Sequence, residues 1–224
     1  MRRPYLAAAA LTAAAAALLT GCGSGDDGSP SRPAPSAVGR LGAGFVAPGT
    51  TPAPESTVTP QPGSWDGVRP SDGYRVTLVT AGDGRPVRTV VEAVREWAEE
   101  QDVGLETVTA AGDSDLIPAV TRAMDTEADL IVSAGDDLVD PLVNVTPNHL
   151  DQQFLVVGAE LAEPTENVTA VDWTGASFRG EGLGTPTTYD AASFTPARCA
   201  AAVRAGTAAV LSGRTGIVVW MDDF

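Results

Sequence analysis

Residues 73–224 predict a three-layer, Rossmann-like α/β domain: one parallel sheet with helices on both faces. Two observations carry this. β-rich runs and amphipathic helical stretches alternate along the chain. One of those runs, 129–134, is apolar almost without interruption, as strands are when both faces are covered.

Residues 74–80 form the first strand run, ending in Ala81-Gly82-Asp83-Gly84, and Pro86 suits the first turn of a helix. Val87, Val90, Val91, Val94, Trp97 and Ala98 recur at spacings of three and four, with charged residues between them, which predicts that helix. Residues 105–109 are a short second strand. Asp113 and Asp115 cap a helix whose apolar face is Leu116, Ala119, Val120, Ala123 and Met124. After the third strand, Asp136 or Asp137 caps a helix running towards Pro147, and residues 153–158 and 168–173 are the fourth and fifth strands. Residues 174–193 are irregular. Thr195-Pro196 then opens an alanine-rich helix that Ser212-Gly213 stops, and 215–221 is a last strand. No Gly-x-Gly-x-x-Gly follows the first strand, so no dinucleotide or other cofactor is expected.

Ahead of the domain stand two segments of different composition. Arg2 and Arg3 precede an apolar run, 6–19, that is shorter than the ~20 residues a membrane-spanning helix needs. Leu19-Thr20-Gly21-Cys22 closes it and resembles the lipobox of bacterial lipoproteins. The expected organisation is a signal peptide over 1–21, a Pro/Ser/Gly-rich tether over 22–72 and an α/β lobe over 73–224. Cys22 would carry the acyl chains that anchor the protein to the extracytoplasmic face of the cell membrane. The paired arginines fit either general secretion or twin-arginine export.

The formal net charge is −15, which disfavours nucleic acid as a partner and an anionic membrane surface as a docking site. All fourteen basic residues are arginine, which excludes Schiff-base and P-loop lysine chemistry. Cys199 falls on an apolar helical stripe with Val203, Gly206 and Val210, the position of a buried structural thiol. His149 has no partner for catalysis in the sequence, and no nucleophile elbow or histidine-based triad is present, so no enzymatic activity is expected. Trp97 and Trp173 read as packing residues.

Ligands of open α/β sheets lie beyond the carboxyl ends of the strands. There the chain places Asp83, Gly135, Asp136, Asp137, Glu160, Asp222 and Asp223, an acidic edge able to accept hydrogen bonds or attract a cation. The plainer account, and the preferred one, is that Asp136 and Asp137 cap a helix and the others are solvated loop charges. Asp136, Asp137 and Asp140 lack the spaced acidic loop of a calcium site, and no metal is expected.

The strings Tyr74-Arg75-Val76-Thr77-Leu78-Val79-Thr80, Ala128-Asp129-Leu130-Ile131-Val132-Ser133-Ala134-Gly135 and Gln153-Phe154-Leu155-Val156-Val157-Gly158 resemble successive strands of the basic membrane protein (BMP, PnrA-like) substrate-binding lipoproteins. Asn167-Val168-Thr169-Ala170-Val171, the helix around 197–211 and Arg214-Thr215-Gly216-Ile217-Val218-Val219 continue in the same order. The resemblance implies a type I periplasmic-binding-protein fold, a nucleoside or related small molecule as ligand, and an ABC transporter permease as partner. It implies one lobe here, the amino-terminal one, with its open surface covered by residues 174–193 or by self-association. Where that family carries a stacking aromatic after the first strand, this chain has Gly82-Asp83-Gly84-Arg85-Pro86. The alternative reading is a surface lipoprotein with an interaction or structural role, which has lost small-molecule binding and meets a protein partner.

Overall fold

The computed structural model describes residues 36–162, 164–176 and 188–221. The chain divides into two units, Met1–Pro33 and Ala34–Phe224. The first, with Cys22, lies outside the described residues, as do Asp222 and Asp223.

The second unit is built on a seven-stranded parallel sheet. Its strands are β2 (Thr57–Val58), β4 (Arg75–Thr80), β5 (Gly104–Thr109), β6 (Leu130–Ala134), β7 (Phe154–Val157), β8 (Val168–Asp172) and β9 (Val218–Trp220), in the order β5-β4-β6-β7-β8-β9-β2. The register is continuous through the centre, with Leu78 beside Thr107 on one flank and Val132 on the other. β1 (Ala37–Gly39) and β3 (Val68–Pro70) form a separate antiparallel pair.

Period-2 alternation sorts the sheet into two cores. Val76, Leu78, Leu130, Val132, Leu155, Val157 and Val171 join the cluster of α1 (Arg85–Glu100) and α4 (Pro196–Leu211). Val79, Ile131, Phe154, Val156, Val168 and Ala170 join that of α2 (Leu116–Met124) and α3 (Val139–Val145). Each large side chain moved from water into these layers contributes about 1.5–3 kcal/mol. The expected three-layer α/β architecture is therefore the one observed.

α4 begins where the sequence indicated: Thr195 Oγ1 accepts a hydrogen bond from the Arg198 N–H at 3.2 Å, with Pro196 in the first turn. Its small residues serve close approach. A Cβ on Gly206 would lie 2.6 Å from side-chain atoms of both Leu155 and Val171, so the helix rests directly on β7 and β8. Its remaining surface meets α1 and β3.

That contact with β3 corrects one expectation. The described part of the predicted tether, 36–72, is folded: β2 extends the main sheet beside β9, and Phe45 and Trp65 are buried in the α1/α4 core. Folded chain is therefore present ahead of residue 73, among the described residues 36–72. A few large apolar anchors hold a segment that its prolines and glycines alone would leave extended.

The helix caps also differ from expectation. Neither Asp136 nor Asp137 caps α3 with its side chain: both sit in a 3-10 turn, Asp136–Leu138, that precedes it. The Asp115 side chain instead accepts from the Ala111 N–H at 2.9 Å and pairs with Arg122. The 3-10 turn ahead of α3 puts Leu138 at its N-cap, and the one ahead of α2 leaves Asp115 at the N-cap with a helical backbone, φ −103° and ψ −1°, in place of the extended one from which a side chain caps.

Candidate functional site

Strand order reverses direction at β4: the chain passes from β4 out to β5, then back across to β6. The turns after β4 and β6 thus diverge at the sheet's carboxyl edge and leave a crevice between them. Gly135, with φ of +122°, lets the two turns close up, because a Cβ there would lie 2.7 Å from the Ala81 carbonyl oxygen.

A cavity of about 260 Å³ occupies this crevice. Its floor comes from Ala81 to Gly84 after β4, Gly135 to Asp137 after β6, and Val157 and Gly158 at the end of β7. The first turn of α1 supplies Pro86, Val87 and, deeper, Val90. Tyr189 and Phe194 complete the wall from the segment that leads into α4.

Of the residues expected at the ligand edge, Asp83, Gly135, Asp136 and Asp137 line this cavity. Asp137 reaches across to the first turn, its Oδ2 lying 3.6 Å from where a Cβ on Gly82 would stand. Glu160 is corrected. It is buried and does not line the cavity, because Gly158 turns the chain with φ of +78° and Ala159 then bridges antiparallel to Val171.

Tyr189 and Phe194 were not legible as site residues. The family resemblance implies a stacking ring after the first strand, whereas the rings lining this cavity come from the segment ahead of α4. The available signal was Phe194 directly before the Thr195 cap, the place of an apolar residue that fixes the entry of a helix. Phe194 is held by packing, while the Tyr189 ring is half exposed. Phe194 meets Trp173 edge-on at 5.0 Å between centroids, and the Trp173 indole N–H donates to Ser193 Oγ at 3.0 Å. Asp190 Oδ1 accepts from the Ala192 N–H and the Asp190 N–H donates to the Gly175 carbonyl, which fixes the backbone beside Tyr189. Burial, followed by the charges of Asp136 and Asp190, raises the Tyr189 phenol above its ordinary range.

The other singled-out residues lie elsewhere. Asp115 is engaged by the Arg122 guanidinium at 2.8 and 2.9 Å, and that hydrogen bonding, aided by the Ala111 N–H, holds its carboxyl down at about 2. Cys199 is fully buried, and burial pushes its thiol up to about 12. His149 is exposed at the end of the 3-10 turn after α3, away from the cavity. Trp97 and Trp173 are core residues. Among the described residues no group of three His, Cys, Asp or Glu side chains is placed to hold a metal, and no helix is long and apolar enough to cross a membrane.

No known family profile matches the chain. Its fold is similar to solved ABC transporter solute-binding proteins. One from Aeropyrum pernix K1 is 22% identical, with a TM-score of 0.42, over 46% of this chain and 29% of that one. One from Conexibacter woesei DSM 14684 is 19% identical, with a TM-score of 0.39, over 45% of this chain and 35% of that one. A third, from Bradyrhizobium sp. BTAi1, is 13% identical, with a TM-score of 0.31, over 87% of this chain and 61% of that one. The match thus spans less than two thirds of each of these proteins.

Proposed function

We propose that this protein is an extracytoplasmic, lipid-anchored solute-binding lipoprotein, related to the BMP receptors of ABC importers, and that its solute sits in the cavity at the β4/β6 switch point. The observation that carries the reading is the convergence of Asp83, Asp136, Asp137 and two aromatic rings on one crevice at the sheet's carboxyl edge. Small-molecule sites combine an apolar wall with a few convergent polar groups in this way, and open α/β sheets form them at this place.

In this reading Cys22 bears the acyl chains and an ABC permease is the partner that receives the solute. Tyr189 and Phe194 supply part of the enclosure around the solute. The role is binding, without bond-making chemistry. The test is thermal unfolding of the mature chain against nucleosides, amines, sugars and divalent ions. A ligand of the native state stabilises it by about 2.7 kcal/mol at a hundred times its Kd, so one class should raise the melting temperature saturably. No saturable rise with any class favours the alternative, a lipoprotein that meets a protein partner.

A further inference from the structure

We propose that the switch-point cavity selects a small organic cation, its charge among Asp83, Asp136 and Asp137 and its carbon skeleton against Tyr189 and Phe194. The inference rests on the solute-binding reading and gives it a ligand class.

Three lining side chains are carboxylates, and no basic side chain lines the cavity among the described residues. The side chains of Asp83 and Asp137 have no hydrogen-bond or ion-pair partner among the described residues. Arg88 lies close, but its guanidinium donates to the main-chain carbonyl of Asp83 and leaves the carboxylate unmatched. The opposing feature is the amino end of α1, whose Gly84 and Pro86 reach the cavity. A helix terminus supplies about half an elementary charge, and proline contributes no N–H. The two unmatched carboxylates, Asp83 and Asp137, outweigh it, so a phosphate or carboxylate ligand is repelled.

The aromatic wall is a second, independent feature favouring the same class. Tyr189 and Phe194 stand 6.0 Å apart between centroids with their planes at 50°, and both line the cavity that the aspartates line, Phe194 buried and Tyr189 half exposed. Ring faces attract cations, more strongly where water is partly excluded. A neutral polar solute such as a sugar would hydrogen-bond to the carboxylates and stack a C–H face on a ring, but would leave the negative charges uncompensated. A cation carrying a hydrocarbon or aromatic part satisfies both walls.

The test is isothermal titration calorimetry of the mature full-length chain with benzylamine, benzyl alcohol and benzoate, and with adenosine and glucose as further arms. Benzylamine should bind saturably and at least about tenfold more tightly than benzyl alcohol, a difference set by its charge. That affinity should fall with added salt, and fall further in Asp136→Asn/Asp137→Asn and in Tyr189→Ala. Because the salt titration uses the unaltered chain, it decides the matter even where a variant folds poorly. Equal affinity for benzyl alcohol or benzoate, or benzylamine binding indifferent to salt and to the Asp→Asn changes, overturns the cation assignment. Binding of adenosine or glucose in preference to benzylamine also overturns it while leaving a solute site standing. Silence in every arm removes the site itself.

Discussion

A Cβ on Gly158 would lie 2.5 Å from Cε1 of Phe194, so the ring fills the space that a side chain at the end of β7 would need. The turn out of the sheet and the aromatic wall are thereby one packing unit, because Phe194 leans in turn on Trp173.

Gly158→Val should therefore act on both stability and binding. The position has φ of +78°, which a β-branched residue strongly disfavours, and the ring must move. Overpacking of this kind costs about 1–3 kcal/mol. Urea denaturation should show a lower midpoint, and any solute that stabilises the parent protein should lose its effect. Unchanged solute binding in a folded variant would separate the ring from the site.

Asn167 is fully buried at the head of β8. Its amide nitrogen lies 3.2, 2.9 and 3.0 Å from the carbonyls of Thr146, His149 and Gln152, and its Oδ1 accepts from Thr165 Oγ1 at 2.6 Å. The side chain thus fastens the loop between α3 and β7 to the strand beside it. Asn167→Leu would leave buried carbonyls without their donor, at a cost of about 1–3 kcal/mol. The same denaturation measurement should show a lower midpoint with an unchanged slope.

The sequence already displayed strands β4 to β9, helices α1 to α4 and the Thr195 cap, because period-2 and period-3.6 patterns survive in most elements long enough to bury a face. β2 was hidden by its length: Thr57–Val58 shows no periodicity, and only pairing with β9 makes it a strand. Phe45 stood in a proline-rich stretch whose composition argued for a tether, while it is buried in a core that residues far along the chain, in α1 and α4, complete. The place of Asp83, Gly135, Asp136 and Asp137 along the cavity followed from their positions at the carboxyl ends of strands. That of Tyr189 and Phe194 did not, since an irregular segment gives no pattern from which to place its rings.

Burial raises Cys199 from its ordinary 9.0 to about 12, and raises the Tyr74 phenol above its ordinary 10.0 with help from the Asp129 charge. Both are neutral in the folded protein where the unfolded chain would ionise. Their contribution is fully present below pH 9.0 and is lost as pH rises from there through the folded values near 12 and above. Unfolding free energy should accordingly decline above pH 9.0, and less steeply in Cys199→Ala. A flat profile in the parent would contradict the burial of these groups.

The anchor assignment makes a separate prediction. Expressed in a bacterium, the parent chain should partition into the detergent phase of a Triton X-114 extract, and Cys22→Ser should shift it to the aqueous phase, because several acyl chains are needed for stable attachment. Equal partitioning of the two would remove the lipid anchor while leaving the cavity untouched.

The central claim is that a solute occupies the crevice between the turns after β4 and β6. It is tested most directly by a crystal structure of the mature chain grown with whichever compound raises its melting temperature. The account predicts electron density for that compound between Asp137 and Tyr189, in contact with both. Density for it elsewhere on the molecule, with this cavity holding only water, would contradict the account.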